Sequence, residues 1–540
     1  MSYHTANEKA NAEEHYKNEY NSDLDNGVSG VNGEHGAVHS HDVPTGTHAR
    51  KPNDYAVEIA PAGGSRMVQD AVFGDMGGEG PNFRAVGPMG AFVLMTKANI
   101  GLGVLSIPFV FMQVGMVPGI ILLLVINLIT MYCALIIGDF KMNHPEVYAI
   151  ADAGFIVGGR IGREYFGIAF VLFMIFVSAS AILAIATALN AISSTETHHG
   201  LCTAAFIAIA AVCGWLLASI RTLGKIAWLG WVGLVSIMAA ILTLTIAVGV
   251  QDRPDLAKQL YPTGPWPKDL KIVNNPAFSV AMSAINSIVF AFAATPTYFG
   301  IISEMRDPRA YKKSMVLSMA LLYIVYVVIG VVVYYFCGQY VSSPALGSAG
   351  ALMKKVCYGI AIPALLVTLC IYAHLASKYF FVRILHGTKH LTANTKTHWI
   401  TWLSCVTVSI LVAYIIGSAI PIFGNLISLV GAVIGPSVVI IPYTLMWYHD
   451  NWKLRLNGRR NVLMLAFNIL LFCIGVFITG AGTYGAVEAI IDDPSRTTPW
   501  SCADNSNTYN ATAASISAAA AAAAKTATAT VAAAAAALTA

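Results

Sequence analysis

The sequence predicts an all-α polytopic membrane protein with about 11 transmembrane helices, arranged as a 5+5 inverted repeat plus one extra helix. Three observations carry this reading. Of 540 residues, 56% are hydrophobic and 11% charged, with mean hydropathy +0.64; soluble domains hold about 25% charged residues. The apolar residues gather in runs near the roughly 20 residues that cross a bilayer. The first and sixth runs, five apart, both carry helix-breaking residues. A repeat with an odd number of spans enters the membrane from the opposite side the second time, with a site where the two broken helices meet.

Residues 1–88 are rich in Asn, Gly, His, Asp and Glu and poor in large apolar side chains, which predicts a disordered cytoplasmic tail. Its polar start offers no apolar core of a secretory signal. Its histidines (His4, His15, His35, His39, His41, His48) lack regular ligand spacing, so a solvated tail is the plainer reading and no metal site is expected. Eleven apolar runs follow, at roughly 89–113, 118–139, 166–190, 201–220, 227–250, 277–302, 314–336, 356–377, 399–419, 424–446 and 461–485. They divide into a first five-helix repeat (89–250), a second (251–446), an eleventh helix (447–490) and an Ala-rich, low-complexity tail (491–540).

Orientation follows from Lys and Arg in short loops. One set of alternate loops holds Lys141, Arg160 and Arg163; Arg221 and Lys225; Arg306, Arg309, Lys312 and Lys313; Lys378, Arg383, Lys389 and Lys396; and Lys453, Arg455, Arg459 and Arg460. The other set is poorer. The N-terminus is therefore expected inside and the C-terminus outside. The sequon Asn510-Ala511-Thr512 then lies where glycosylation is allowed.

The nine cysteines have no metal-type spacing. Cys133, Cys213, Cys370, Cys405 and Cys473 fall inside apolar runs, as small packing residues do. Cys202, Cys337 and Cys357 fall near outer span ends. Cys202–Cys337 is the preferred disulfide in an oxidising exterior, with free thiols as the alternative. Charge runs are short, so no nucleic-acid partner is expected. The spans leave no room for a soluble catalytic domain, so neither enzyme activity nor a cofactor is expected.

The first break is Lys97-Ala98-Asn99-Ile100-Gly101-Leu102-Gly103-Val104-Leu105-Ser106-Ile107-Pro108. A lysine, an asparagine, two near-adjacent glycines and a proline interrupt an otherwise apolar run. Broken backbone at membrane depth is tolerated where it is buried in protein or lines a cavity. The sixth run carries Pro296 within Phe290-Ala291-Phe292-Ala293-Ala294-Thr295-Pro296-Thr297-Tyr298. Proline removes a backbone donor and clashes with the preceding turn. The alternative is a simple kink at Pro296, with glycines near 101 that only permit close packing.

The stretch from Lys97 to Pro108 resembles the first span of the amino acid/auxin permease family. Ala71-Val72-Phe73-Gly74 and Gly80-Pro81-Asn82-Phe83-Arg84 are similar to its fungal neutral amino acid permeases of the methyltryptophan-resistance type. Ile301-Ile302-Ser303-Glu304-Met305 is also similar. The resemblance covers roughly residues 70–490. It implies the leucine-transporter-like fold and secondary transport of amino acids. In sodium-coupled relatives an asparagine stands where this chain has Lys97, so the lysine resembles the proton-coupled branch.

A zwitterionic substrate needs donors for its carboxylate and acceptors for its ammonium. Ile100, Gly101, Leu102, Gly103 and Val104 offer freed N–H groups beside the N-terminus of the following half-helix. Carbonyls around Phe292, Ala293 and Ala294 are the ammonium candidates, with Phe290, Phe292 and Tyr298 as an apolar wall; packing aromatics are the alternative. No acidic residue lies deep in these two spans, which argues against a cationic substrate. Lys97 sits about 8 residues into the span, roughly 12 Å deep at 1.5 Å per residue. A lysine at such depth costs about 2.5–3.5 kcal/mol. It is read as bracing the first span in place of a sodium ion; the alternative is snorkelling to the headgroups. Glu304 is a candidate inner gate paired with a loop arginine, or an interfacial carboxylate. His374 is a candidate proton relay, or a satisfied core histidine. Thr368 and Ser178 are candidate pocket residues.

Together these point to a plasma-membrane importer of neutral, aliphatic and aromatic amino acids working by proton symport, with protons and the lipid bilayer as its partners. The alternatives are a sodium-coupled carrier, a vacuolar carrier, or a sensor of the same fold.

Overall fold

A computed structural model describes residues 86–195, 200–220, 223–261, 263–385, 395–493 and 498–506, with isolated positions elsewhere. The N-terminal tail expected over residues 1–88 lies almost wholly outside the described residues, as do Asn510 and the alanine-rich end. Apart from a two-residue antiparallel pair, Gln69–Asp70 with Gly74–Asp75, the described elements are helical.

The first span is α1 (Pro88–Asn99), a break, a 3-10 turn (Gly103–Leu105) and α2 (Ile107–Val114). Pro88 and Pro108 each sit in a first helical turn, where a missing N–H costs nothing. The two halves are bent by 47°. There follow α3 (Met116–Asn143), α4 (Ile150–Ser193), α5 (Thr203–Ala218) and α6 (Leu223–Val250). The long α4 is kinked at Gly158 and Gly159, the latter at φ 58°. The loop after α6 holds the short α7 (Asp255–Leu260).

The sixth span is α8 (Phe278–Ala291), a turn, a 3-10 segment (Thr295–Thr297) and α9 (Tyr298–Glu304). Then come α10 (Tyr311–Cys337), α11 (Ala351–Leu385) and α12 (Lys396–Ala419). The chain continues through α13 (Phe423–Val433), α14 (Gly435–Val439), α15 (Ile441–Asp450) and α16 (Arg459–Ile491). The tenth span is also broken, bent by 53° where Gly435 and Pro436 follow α13.

Among the described residues, eight helices are long and apolar enough to cross a membrane, or ten if each bent pair is one span. The fold is thus an all-α polytopic membrane protein. The run expected at 201–220 is the shorter apolar helix α5, of 16 residues. At 1.5 Å per residue it is about 24 Å long, less than the roughly 30 Å hydrocarbon core.

The packing places the breaks centrally. α4 lies against α11 and α12, and α8 against α13 and α16. α10 packs along α1, α2 and α3. The chain entering α1 is strapped to the end of the sixth span: Val86 N–H donates to the Glu304 carbonyl (3.0 Å), and Arg306 N–H to the Val86 carbonyl (2.9 Å).

The expected Cys202–Cys337 disulfide does not form; Cys202 is bonded to Cys502. Cys337 ends α10 as a buried free thiol near the Ser348 carbonyl. Cys202, just before α5, meets a C-terminal segment that folds back over this end of the bundle. Thr203 donates to the Ala503 carbonyl, and Asn505 to the Pro421 carbonyl at 2.8 Å. Of the cysteines expected inside spans, Cys133, Cys370 and Cys405 are buried, whereas Cys473 is exposed.

Candidate substrate site

The first halves of the first and sixth spans end at one hydroxyl. Asn99 is the last residue of α1 and Ala291 the last of α8; Tyr326 of α10 lies 3.0 Å from each of their carbonyl oxygens. A helix leaves its last carbonyls without intrahelical donors, and in an apolar interior each needs another partner. Tyr372 of α11 donates likewise to the Ala98 carbonyl at 3.0 Å. The Asn99 side chain donates to the Tyr298 hydroxyl at 2.8 Å, tying the two breaks directly.

Between the breaks is a small cavity of about 20 Å³, room for one water. The first span contributes Lys97, Gly101, Leu102 and Gly103 to its wall, and the sixth contributes Phe290, Ala293 and Ala294. Ile100 and Val104 are buried but do not line it. Phe292 and Tyr298, expected as its apolar wall, also turn away. The Phe292 ring packs on Tyr326 (centroids 5.2 Å apart), and the Tyr298 hydroxyl is held by Asn99. The Ala294 carbonyl already accepts from Thr297 N–H (3.0 Å) and the Thr297 hydroxyl (2.7 Å).

The remaining wall comes from the third and eighth spans: Phe173 and Val177 of α4, and Thr368 and Tyr372 of α11. Phe173 stands 6.3 Å from Phe290 and 6.5 Å from Tyr372, ring centre to ring centre. Of these four only Thr368 was marked by the sequence. Ser178 bonds back to the Met174 carbonyl instead.

Lys97 is 6% exposed and turns inward. Its ammonium donates to the Thr368 hydroxyl at 3.1 Å, and among the described residues it has no ion-pair partner. Its stem passes α6 at Gly233, where an added Cβ would lie 2.8 Å from the Lys97 Cε. No acidic side chain lines the cavity.

The gating candidates lie apart from this cavity. Glu304 makes no ion pair with a described arginine. The charge bearing on it is Lys378, a helix lysine, rather than a loop arginine. Nearby is Tyr148, outside the spans, whose phenol is pushed up to about 12 by burial. His374 is 1% exposed, packs edge-on to Trp402 at 5.0 Å, and has the Ala218 and Ile220 carbonyls nearby. On the same side, Lys312 of α10 pairs with Asp139 of α3, and Arg383 of α11 with Glu164 of α4 (each 2.5 Å).

Residues 85–488 match the model of a family described as "Transmembrane amino acid transporter protein". A "Transmembrane transporter" of Fusarium pseudograminearum is 34% identical over 432 residues, covering 79% of this chain and 89% of that protein. The "N amino acid transport system protein" of Neurospora crassa is 35% identical over 416 residues, covering 76% of this chain and 87% of that protein. "Amino acid transporter AVT1J" of Arabidopsis thaliana is 23% identical over 410 residues, 73% of this chain and 89% of that protein. A family match that spans nearly the whole described helical bundle, with fungal relatives 34% and 35% identical over most of both chains, establishes that the chain belongs to the transmembrane amino acid transporter family.

Proposed function

We propose that this protein imports neutral amino acids across the plasma membrane by proton symport with alternating access, its N-terminus on the cytoplasmic side. The observation that carries this reading is Lys97, a buried ammonium with no carboxylate partner among the described residues, bonded to Thr368 beside the first break. A fixed positive charge there stands in for a bound cation, so sodium is not needed to brace α1. A cavity wall without acids suits a zwitterion with an uncharged side chain. In this reading residues 89–250 and 251–446 are the two repeats, and residues 447–490 lie outside both.

The substrate carboxylate meets the freed N–H groups around Gly101 and Gly103. Its ammonium meets carbonyls at Phe292 and Ala293. The cavity has room for only about one water, so binding requires Phe173, Phe290 or Tyr372 to turn aside. Glu304 and His374 act outside the substrate contact, away from the cavity wall.

The test is uptake of labelled leucine and tryptophan into proteoliposomes under an imposed proton gradient, with and without sodium, for the wild type and Lys97→Asn. Proton-driven, sodium-indifferent uptake that the substitution alters is the expected result. A sodium requirement in the wild type removes the role given to Lys97. Absence of uptake under every gradient reopens the carrier reading in favour of a sensor.

A further inference from the structure

The geometry points to a zinc-class metal site formed by His144, His449 and Asp450 at the end of the bundle that carries the basic loops. His144 follows the last residue of α3, and His449 and Asp450 close α15. The donor atoms of the three side chains all lie within 4.8 Å of one another. Asp450 Oδ1 is 2.9 Å from His144 Nε2 and 3.2 Å from His449 Nδ1. Ligand atoms on a tetrahedral zinc with bonds of 2.0–2.1 Å are about 3.3 Å apart. Two of the three edges of such a site are thus already near their bound length.

The surroundings are also those of a ligand set. Asn143 donates to Asp450 Oδ2 at 2.9 Å, which holds the carboxylate and leaves Oδ1 to the imidazoles. Glu146 Oε1 lies 3.7 Å from His144 Nδ1, the ring nitrogen that faces away from the cluster. That distance is too long for a hydrogen bond, and the carboxylate adds negative charge beside the cluster that favours a bound cation. Two imidazoles and a carboxylate suit zinc or cobalt rather than calcium or magnesium, which prefer oxygen ligands. The His144 and His449 side chains are 22% and 39% exposed, so an ion reaches the site from water, which supplies the fourth ligand. Without an ion, Asp450 accepts from both rings. On binding, each ring gives its lone pair to the metal in place of that hydrogen bond. The bound ion fastens α3 to α15.

The test titrates the tag-free full-length chain in detergent with Zn²⁺ against a chromophoric chelator, and with Co²⁺ by visible absorption. The wild type is compared with His449→Ala and His144→Asn. The wild type is expected to bind one equivalent more than either variant, or to bind it at least tenfold more tightly, with tetrahedral cobalt bands that both variants lose. The tail histidines are common to all three proteins and cancel in the comparison. Should one variant fail to fold, the other decides. Equal stoichiometry and affinity in the wild type and the folded variants, or no cobalt bands in the wild type, overturns the site and leaves a hydrogen-bonded cluster. The readout is binding alone, so it stands apart from whether the protein transports.

Discussion

Gly103 and Ala291 meet backbone to backbone: a Cβ built on Gly103 would lie 2.5 Å from the Ala291 Cα and 2.8 Å from its Cβ. The contact joins the two broken spans, and only a residue without a side chain allows it. Gly101, two residues earlier, meets nothing nearer than the Thr368 hydroxyl at 3.7 Å. Gly103→Ala is therefore expected to destabilise the protein by about 1–3 kcal/mol, the usual cost of overpacking a close contact. Gly101→Ala is expected to cost clearly less. Thermal unfolding of both variants in detergent checks the order. Equal melting temperatures would mean that the breaks separate easily and do not pack as described.

The Lys97–Thr368 pair yields a second prediction. Thr368 is the hydrogen-bond partner of the buried ammonium, so Thr368→Val leaves it with none among the described residues, in an apolar setting. Losing a hydrogen bond to a charged group costs about 1.5–3 kcal/mol. The substitution is expected to weaken uptake and change its response to the proton gradient, in the same direction as Lys97→Asn. Thr368→Ser keeps the hydroxyl and should retain wild-type behaviour. If valine and serine behave alike, the hydroxyl contributes only packing.

The aromatic frame predicts selectivity. Phe173 packs against Phe290 and Tyr372, and all three line a void of about 20 Å³. Phe173→Ala opens space where side-chain movement is otherwise needed. The ratio of tryptophan to alanine uptake is expected to rise several-fold, read from competition assays on the same vesicles. An unchanged ratio would place the substrate side chain elsewhere.

Where the sequence was readable and where it was not follows from what marks a residue. Glycine, proline, asparagine and lysine stand out in an apolar run, so both breaks, and the place of Lys97 beside the first, are legible in the sequence. The third-span wall could not. Nearly all of α4 from Phe166 onward is buried, so Phe173 and Val177 sit among equally apolar neighbours with no polar face to orient them. Phe292 and Tyr298 misled for the opposite reason. They lie in the break, but local backbone turns aim them at Tyr326 and Asn99. His144 and the His449–Asp450 pair are some 300 residues apart in sequence, and no spacing rule joins them. The disulfide failed similarly, because a segment read as low-complexity tail supplies Cys502.

An ion pair fixes the loop after α6. Lys354, at the start of α11, meets Asp255 of α7 at 3.1 Å, with side chains 2% and 12% exposed. Removing one partner strands the other charge in a nearly dry site, at a cost of about 3–5 kcal/mol. Asp255→Ala is expected to lower the melting temperature far more than Asp139→Ala, whose partner Lys312 is half-exposed and whose pair is worth little. Similar small shifts in both would indicate that water reaches Lys354.

The disulfide gives the last prediction and the simplest assay. Cys202 and Cys502 are joined across 300 residues, with residues 494–497 between the eleventh-span helix and the docked segment. A protease site inserted within 494–497 cuts the chain into a large fragment ending after α16 and a small one containing Cys502. With the bond in place, the small fragment leaves the large one only on a reducing gel. Cys202→Ser should release it under non-reducing conditions, and Cys337→Ser should not. Were the pairing Cys202–Cys337, cleavage would free the small fragment with or without reductant. Three lanes therefore separate the two pairings, without reference to what the protein carries.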